Sequence, residues 1–550
     1  MMKKVLLGNE AVVKGALAAG VDFVSGYPGC PSAEIGDEFG RIAKKFGVYA
    51  EWSANEKVAL EAAIGASFSG LKSLVNMKSF GINVCSDSLF PLAYTGTKAP
   101  MVIFVGDDPS CHSSAQTEQD SRGYAFLGHV PVLDPSSPQE CYDFTKLGFE
   151  ISEKFNIPVI LRSTTRVAHQ RAPVVFDEPA KKDFKNGKFI KNPQQFVTMP
   201  PRVLEMKKEL LAKLERIRSF AEKSEANKII GKNASVGVVA AGISYFYVLE
   251  AMQKMGKDLP VLKPGFFYPL PEKLIANFLK NKKAILVAEE LDPYLEKEII
   301  RIAKTVNPKI KIYGKDVLPE TGELNTEKIV VALSKVLNLK ISKFKNLLKI
   351  ENWNLKIPRR TARLCEGCPY WHIFPVVKRI APENAIYGGD IGCNMIAGLS
   401  PHNMQDYLFS MGASMGISHG VSKSTGQKII SIIGDGTFFH AGIPGLINAV
   451  YNKSNPLILV LDNRITAMTG HQQNPGMGKT LMGENVEEVK IEEIAKACGV
   501  KHIKVLDPIN MNELENAVKD FMQKDEVSLI VCRRVCALLE RRLKREKENG

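Results

Sequence analysis

Two polar positions in the last third of the chain have the types and spacing to bind a metal ion and a phosphate group. One apolar run ends in the tripeptide Gly434-Asp435-Gly436, and the next apolar run ends at Asn463. Periodicity and turn residues predict strand, turn, helix and strand, so the strands are parallel and both polar side chains lie at one edge of a sheet. A carboxylate and an amide oxygen suit Mg²⁺, and the two glycines let backbone approach phosphate oxygens. We predict a diphosphate and Mg²⁺ site here.

The elements that must position this site belong to a large globular protein. The chain has 550 residues, of which 45% are hydrophobic and 24% charged, which suggests three or four domains of about 150 residues each. No apolar run approaches the ~20 residues of a membrane span, and the first segment is interrupted by Asn9, Glu10 and Lys14, unlike a signal peptide. We expect a cytoplasmic protein with no membrane segment.

Charge and cysteine content narrow the class of partner. The formal net charge is +14, but lysine is spread along the whole chain, and the basic tail RRLKREKENG is more typical of a solvated helix end than of a nucleic-acid-binding arm. We therefore expect no nucleic-acid partner and favour acidic ones, such as the phosphates of coenzyme A or an acidic ferredoxin. The ten cysteines are scattered, which favours reduced thiols or cluster ligands over a disulfide framework.

Patterns along the chain predict an α/β protein with several doubly wound, mainly parallel sheets. Residues 1–175 alternate helical and strand patterns, and 233–340 form a second α/β domain. A polar segment, 176–232, is interpreted as an interdomain linker. A third α/β domain is predicted for 355–537, followed by the charged tail 538–550.

The first domain contains three candidate positions. Cys30 lies in the turn Gly-Tyr-Pro-Gly-Cys-Pro-Ser, which leads into a helix whose free amides favour an anion. Glu56 opens a helix rich in small residues, and Arg122 lies in a polar loop where its guanidinium could bind a carboxylate. Taken alone, the Cys30 segment fits a structural turn equally well, whereas a helix cap is the more usual role for Glu56 and surface exposure the more usual place for Arg122.

A Cys-x-x-Cys pair opens the third domain. Cys365 and Cys368 alone would fit zinc, with His372 as a third ligand, or a redox pair. An iron–sulfur cluster needs two more thiolates, and Cys393 and Cys536 supply them.

The Gly-Asp-Gly tripeptide, Asn463 and the following segment ITAMTGHQQNPG resemble the thiamine-diphosphate enzymes of the 2-oxoacid:ferredoxin oxidoreductase family, and most closely the large subunits of indolepyruvate ferredoxin oxidoreductases. The resemblance implies a pyrimidine-binding domain in 1–175 and a diphosphate-binding domain in 355–537. It also implies a transketolase C-terminal-like domain in 233–340, where GFFYPLP and EELDPYLE match the family.

The resemblance assigns roles to individual residues. Glu56 matches the glutamate that hydrogen-bonds the aminopyrimidine of thiamine diphosphate. Mg²⁺ would be held by Asp435, Asn463 and the backbone carbonyl of Ile465. The other implied cofactor contacts are Gly434, Gly436, Thr469 and Gly470.

At the substrate side the resemblance is less complete. Cys30 occupies the position of the threonine that the family places near the substrate carbonyl, and Arg122 matches a family loop and would bind the substrate carboxylate. A thiol is a weaker hydrogen-bond donor than a hydroxyl, so this difference points either to an altered substrate or to a tolerated change.

For the cysteines, the resemblance implies a [4Fe–4S] cluster on Cys365, Cys368, Cys393 and Cys536. Cys532 is a rival for the fourth position, although its place in a strand favours core packing. The chain also departs from the family here, because Tyr370 follows the CxxCP motif where a histidine is usual.

The implied reaction is oxidative decarboxylation of a 2-oxoacid, an aryl pyruvate such as indolepyruvate, to an acyl-CoA, with coenzyme A as co-substrate and ferredoxin as electron acceptor. A small (beta) subunit and a heteromer with dimerised large subunits are expected. Family members usually continue into a ferredoxin domain after the segment that matches CALL, so we expect electrons to leave through a separate protein. A non-oxidative decarboxylase or lyase and a catalytically silent assembly subunit remain alternatives, the last disfavoured by the joint presence of Glu56, Asp435 and Asn463.

Overall fold

The chain forms two compact units, Met1–Ile357 and Pro358–Gly550. The computed structural model describes residues 2–344 and 362–549, so the predicted start of the third α/β domain at residue 355 lies outside the described residues. Within these ranges, none of the helices combines the length and the apolar character needed to cross a bilayer.

The first unit contains fourteen described strands. In chain order they are β1 (Met2–Leu7), β2 (Phe23–Gly26), β3 (Tyr49–Trp52), β4 (Ser73–Lys78), β5 (Met101–Asp107), β6 (Val132–Leu133), β7 (Val159–Thr164), β8 (Arg171–Phe176), β9 (Lys228–Ile230), β10 (Val236–Ala240), β11 (Val261–Lys263), β12 (Phe266–Tyr268), β13 (Ala284–Ala288) and β14 (Lys311–Tyr313).

Helices alternate with these strands. They are α1 (Gly8–Ala18), α2 (Ala33–Ile42), α3 (Glu56–Phe68), α4 (Ser79–Thr95), α5 (Gly123–Gly128), α6 (Pro138–Phe155), α7 (Thr165–Ala168), α8 (Pro193–Phe196), α9 (Arg202–Ala221), α10 (Ser244–Met255), α11 (Glu272–Leu279), α12 (Tyr294–Val306) and α13 (Thr326–Val336).

The main sheet of the first unit has the order β12-β6-β7-β5-β4-β2-β3. All its neighbours are parallel except β12, which pairs antiparallel with β6 and so joins part of the 233–340 segment to the first sheet. A second sheet has the order β14-β13-β10-β11-β9, and β1 pairs with β8 in a separate ribbon. The carboxyl ends of β2, β3, β4 and β5 consequently share one edge of the main sheet.

The segment interpreted as a linker contains a long packed helix. Helix α9 buries Met206, Leu210, Leu214 and Ile217 on one face, at the three- and four-residue spacing of an amphipathic helix, and it packs against α4. Part of this segment is therefore integrated into the first unit.

The second unit is built on one parallel sheet. Its strands are β15 (Ile386–Gly388), β16 (Ile429–Gly434), β17 (Leu457–Asp462), β18 (His502–Leu506) and β19 (Ser528–Arg533), in the order β15-β16-β17-β19-β18. Its helices are α14 (Tyr370–Ile380), α15 (Ala413–Ser424), α16 (Asp435–Thr437), α17 (Ile443–Tyr451), α18 (Ile491–Ala497), α19 (Met511–Phe521) and α20 (Ala537–Asn549).

Both faces of this sheet are covered. Along β17, Leu459 and Leu461 belong to a core with residues of α14 and α19, whereas Ile458 and Val460 belong to a core with residues of α17. Alternate side chains point to opposite faces, so a strand that is apolar throughout is buried on both sides, as in doubly wound sheets. The predicted α/β class with mainly parallel sheets is confirmed.

Candidate active site

The two predicted metal ligands of the second unit lie at the ends of adjacent parallel strands. Gly434 of β16 is opposite Leu461 of β17 in the register, so Asp435 and Asn463 leave the sheet at the same edge. Both side chains are buried. A π-helical turn, Phe438–Gly442, interrupts the helix that follows, a feature frequent near functional sites.

Asp435 has an unusual environment for a buried carboxylate. It accepts a hydrogen bond from Asn474 Nδ2 at 2.9 Å, and burial, with a smaller contribution from the nearby Asp462, raises its pKa to about 7. Within the described ranges no lysine, arginine or histidine forms an ion pair with Asp435, whereas Asp462 is neutralised by Arg533 Nε at 2.6 Å. The Asp435 carboxylate is therefore a buried acceptor without a basic partner.

Asn463 is oriented by the turn that follows it. Its Oδ1 accepts the backbone N–H of Ile465 at 3.1 Å, and its carbonyl oxygen accepts the N–H of Cys536 at 3.0 Å. Arg464, which lies between Asn463 and Ile465 in the chain, has a φ of +63°. This sharp turn places Asn463 and the Ile465 backbone side by side.

Thr469 and Gly470 lie in a tight loop closed by Gln472. The Thr469 hydroxyl donates to Gln472 Oε1 at 2.7 Å, and Gly470 has a φ of +128°. This backbone conformation favours glycine, and a Cβ on Gly470 would also displace the Gln472 amide, whose Nε2 would lie 2.7 Å away. These two residues shape the loop beside Thr466, whose Oγ1 lies 3.0 Å from the position of a Cβ on Gly436.

Sequence reasoning missed Asp390, which follows the next strand, β15. Its carboxylate accepts the backbone N–H groups of Ile391 at 2.8 Å, Gly412 at 2.9 Å and Ser414 at 3.1 Å, and burial raises its pKa to about 6. Because its oxygens bind three amides, Asp390 ties two loops together at the site. The signal that could have found it is a polar residue shortly after a short apolar stretch, two positions beyond the end of β15.

The four predicted cluster cysteines lie in one region. The turn of Cys365 and Cys368 contacts the start of α20, because a Cβ on Gly367 would lie 3.6 Å from Ala537 Cβ, the residue after Cys536. Burial together with the neighbouring thiols raises the pKa of Cys368 to about 11 and that of Cys393 to about 12.

These thiols are near one another but do not converge. Among the described residues, no group of three or more His, Cys, Asp or Glu side chains has the arrangement of a metal site. Cys536 Sγ lies 3.8 Å from His471 Nε2, and the rival Cys532 is buried in the core of the sheet. Tyr370, the departure from the family motif, is fully buried, with its hydroxyl donating to Leu461 O at 3.4 Å.

In the first unit, Glu56 is the first residue of α3 and is buried. Asn55 caps the helix by accepting the N–H of Val58 at 2.9 Å, so Glu56 is not needed as the cap. Gly81, near the start of α4, leaves the space that Glu56 occupies, because a Cβ there would lie 2.6 Å from Glu56 Cγ. The carboxylate is thus held between α3 and α4 at the carboxyl edge of the main sheet.

Cys30 lies in a turn at the same edge and precedes Pro31 through a cis peptide bond. Asn9 Nδ2 fastens the turn by donating to Pro31 O at 2.7 Å. Burial, followed by the nearby Glu34 carboxylate, raises the pKa of the Cys30 thiol. Cys30 is therefore a neutral, half-buried thiol and a weak hydrogen-bond donor at the predicted substrate side.

The structure corrects the expectation for Arg122. Its side chain is buried, neither exposed nor free to bind a substrate carboxylate. Nε donates to Asp120 Oδ1 at 2.9 Å, Nη1 to Glu289 Oε2 at 2.7 Å and Nη2 to the Glu290 carbonyl at 2.8 Å. Because Nε, Nη1 and Nη2 each donate to a protein acceptor, Arg122 joins two segments of the first unit.

Comparisons with known proteins agree with this geometry. The family described as "Pyruvate flavodoxin/ferredoxin oxidoreductase, thiamine diP-bdg" matches residues 14–223, and "Thiamine pyrophosphate enzyme, C-terminal TPP binding domain" matches residues 390–532. Indolepyruvate oxidoreductase subunit IorA of Methanothermobacter marburgensis is 43% identical over 545 residues, covering 97% of this chain and 87% of the relative. The protein of the same name from Archaeoglobus fulgidus is 39% identical, covering 99% and 88%.

The chain belongs to the IorA family. Family membership and the two matched domains make it an oxidoreductase that acts on 2-oxoacids with thiamine diphosphate. A solved 2-oxoglutarate:ferredoxin oxidoreductase from Magnetococcus marinus, with 2-oxoglutarate, coenzyme A and succinyl-CoA bound, has a TM-score of 0.51 at 19% identity, covering 61% of this chain and 65% of that one. This likeness is one of fold.

The residues of this IorA member fit a diphosphate and a divalent cation. Asp435 is buried without a cation, and a bound metal would neutralise it. The predicted ligands are carboxylate, amide and carbonyl oxygens, which Mg²⁺ prefers. The four cysteines are thiol ligands of the kind that an iron–sulfur cluster needs. In the described part of the chain their side chains do not converge on one point.

Proposed function

We propose that the protein is the large subunit of an enzyme that oxidatively decarboxylates an aryl pyruvate, such as indolepyruvate, to the corresponding acyl-CoA. One 2-oxoacid, one coenzyme A and two oxidised ferredoxins give one acyl-CoA, CO₂, two reduced ferredoxins and a proton. The observation that carries the proposal is the buried, cation-free pair of Asp435 and Asn463 at adjacent strand ends in a chain of this family.

In the second unit, Asp435, Asn463 and the Ile465 carbonyl would hold Mg²⁺. The buried Asn474 amide orients Asp435 from the other side. Backbone around Gly434, Gly436, Thr469 and Gly470 would contact the diphosphate or the loop that covers it. When bound, thiamine diphosphate supplies the nucleophilic carbon and the electron sink that loss of CO₂ requires.

In the first unit, Glu56 would hydrogen-bond the aminopyrimidine of the coenzyme and move its proton. The position suits this task because Asn55 is the residue that caps the helix and because Gly81 provides room for the carboxylate. Cys30 would lie near the substrate carbonyl. Because a thiol is a weak hydrogen-bond donor, this residue would recognise the substrate by its shape rather than by a hydrogen bond.

Cys365, Cys368, Cys393 and Cys536 would hold a [4Fe–4S] cluster, which when bound would supply one-electron transfer. Contact between the Cys-x-x-Cys turn and the start of α20 supports this assignment. Four thiolates are the usual ligand set of such clusters. Ferredoxin is the proposed acceptor and coenzyme A the proposed acyl acceptor.

The relatives are named as subunits, and we propose a small (beta) partner subunit in a heteromer with dimerised large subunits. The full chain, co-expressed anaerobically with that partner, should bind thiamine diphosphate and Mg²⁺. With indolepyruvate and coenzyme A, it should reduce ferredoxin and form indoleacetyl-CoA, which mass spectrometry identifies. Phenylpyruvate, pyruvate and 2-oxoglutarate test the preference for an aryl side chain.

Matched variants on helix α3 separate chemistry from folding. Glu56→Gln should lose at least about 100-fold in turnover, the lower end of the range for positioned proton transfer, while Glu61→Gln, an exposed change on the same helix, should retain activity. Iron and sulfide analysis of Cys368→Ser tests the cluster. Release of CO₂ and aldehyde without ferredoxin reduction would establish the non-oxidative reaction instead, and coenzyme binding without turnover would establish a silent subunit.

A further inference from the structure

Lys78 is the last residue of β4 and lies in the middle of the carboxyl edge of the main sheet. The stretch that begins with it packs beside Gly29, the neighbour of Cys30, and beside Glu56. A Cβ on Gly29, next to Cys30, would lie 2.8 Å from Lys78 Cβ, and a Cβ on Gly81 would lie 2.6 Å from Glu56 Cγ. Four residues of chain thus run from the Cys30 turn to the Glu56 carboxylate.

The Lys78 side chain is half-buried, and few protein groups offset the positive charge of its ammonium group. Nζ donates to the Ser113 carbonyl at 2.7 Å and lies 4.9 Å from the centre of the Phe80 ring. No carboxylate of the described residues lies within ion-pair distance of it. The nearest candidate, Asp108, directs its oxygens to Ser113 N at 2.7 Å and Thr165 Oγ1 at 2.7 Å. An ammonium has three donors, so directions remain for a ligand.

We propose that Lys78 binds the carboxylate of the 2-oxoacid. This inference rests on the proposed function and deepens it, since it assigns the substrate cation that Arg122 cannot provide. An anionic substrate suits this site for three reasons. The Lys78 ammonium lacks a carboxylate partner among the described residues, and it lies at the sheet edge where ligands bind. A short stretch of chain also connects Lys78 to the residue that packs against Glu56, which is proposed to act on the coenzyme.

The electrostatics of the site agree with the geometry. Burial lowers the pKa of Lys78, and Asp108 with the thiols of Cys30 and Cys111 opposes that effect. A bound carboxylate would oppose it further by adding the missing negative charge close to the ammonium.

The role has a kinetic signature. The carboxylate carries its charge into the ground-state complex and loses it as CO₂, so an ion pair with Lys78 stabilises bound substrate at least as much as the transition state. Removing the charge should therefore raise KM by about 10- to 100-fold, less than the cost of losing one partner of a fully buried charge pair because Lys78 is half-buried. We expect kcat to change little.

Two experiments on the co-purified holoenzyme test the assignment. In the first, lysines are acetylated in the presence of 3-phenylpropanoate or its neutral amide, and the extent at Lys78 is read by mass spectrometry. The acid should protect Lys78 and the amide should not, while the exposed Lys98 should react equally in all samples. In the second, KM and kcat for the best 2-oxoacid substrate are measured for Lys78→Met, Lys78→Arg and the control Lys98→Met.

The outcomes separate this inference from the proposed reaction. Protection by the acid with a raised KM in Lys78→Met and partial rescue in Lys78→Arg supports the assignment. Turnover without protection, and with wild-type KM in Lys78→Met, overturns it and leaves the proposed function intact. Protection without turnover of any 2-oxoacid supports a carboxylate site at Lys78 and refutes the reaction. Absence of both overturns both.

Discussion

Replacing Arg122 with methionine should destabilise the first unit without affecting substrate affinity. The guanidinium lies in a buried network: it binds Asp120 and Glu289, and its carbon lies 4.9 Å from the centre of the Phe267 ring. Methionine fills much of the volume but leaves the buried Glu289 carboxylate without its arginine and Asp120 with only the more distant Arg162, at 3.9 Å.

Removing one partner of a buried ion pair typically costs about 3–5 kcal/mol, mainly because the remaining charge stays buried and uncompensated. For a unit of this length, the average unfolding entropy per residue converts that loss to a fall in melting temperature of about 4–7 °C. Burial already raises the pKa of Glu289 despite the nearby Arg122, so loss of the arginine should raise that pKa further.

Differential scanning calorimetry of the full chain would measure the shift, with steady-state kinetics on the same preparations. Arg202→Met on α9 is the control: it removes exposed ion pairs with Glu205 and Glu209 and should leave the melting temperature unchanged. If Arg122→Met does not accumulate, Glu289→Gln gives a milder version of the same change. An unaltered melting temperature together with a large rise in KM would refute the structural role and restore Arg122 to the substrate.

Three further perturbations follow from the described geometry. Gly81→Ala should displace the Glu56 carboxylate, because its Cβ would lie 2.6 Å from Glu56 Cγ, and lower kcat by up to about 100-fold; Gly65→Ala, where a Cβ meets nothing within 4 Å, should retain activity. Asp435→Asn should raise the melting temperature of the cofactor-free chain, since it removes a buried uncompensated charge. Thiamine diphosphate and Mg²⁺ at a hundred times their Kd should then stabilise only the wild type, by about 2.7 kcal/mol. Burial raises the pKa of Glu290 to about 7, so the folded protein keeps a proton that the unfolded chain releases above about pH 4.3. The free energy of unfolding of the wild type should therefore fall as pH rises from about 5 to 7. Across that range the free energy of unfolding of Glu290→Gln should increasingly exceed that of the wild type, by an amount approaching about 3 kcal/mol, and its melting temperature should be correspondingly higher.

Local pattern predicted the framework of the second unit well. The strands before Asp435 and Asn463 end at Gly434 and Asp462, because continuous β-branched and leucine-rich runs bury both faces and polar residues end them. The intervening helix is broken by the Phe438–Gly442 π-turn, which no helical periodicity indicates. The spacing of hydrophobic residues indicates which face of a helix is buried. It does not indicate whether the backbone hydrogen bonds follow the α-helical or the π-helical pattern.

Partners distant in sequence explain the errors. The loop around Arg122 is polar, which favours exposure, yet the side chain is buried by Glu289, 167 positions later in the chain. Similarly, the interpretation of 176–232 as a linker followed its charge, although the apolar face of α9 packs against α4. In both cases composition described the segment correctly and tertiary contacts decided its environment.

Lys78 shows which sequence rule is dependable at such sites. It ends an apolar strand and is followed at once by a helix, the arrangement that identified Asp435 at the end of β16. Strand ends in a parallel sheet are placed by local pattern and topology, both of which are written in the sequence. Loop side chains such as Arg122 are placed by contacts that the pattern does not contain. A buried guanidinium has five donors, which carboxylates and carbonyls of the protein readily satisfy. An arginine is therefore more easily paired within the protein, and so less available to substrate, than a strand-end lysine at a sheet edge. Applied to every strand of the main sheet, the strand-end rule selects Lys78 as the cation available to substrate and passes over Arg122.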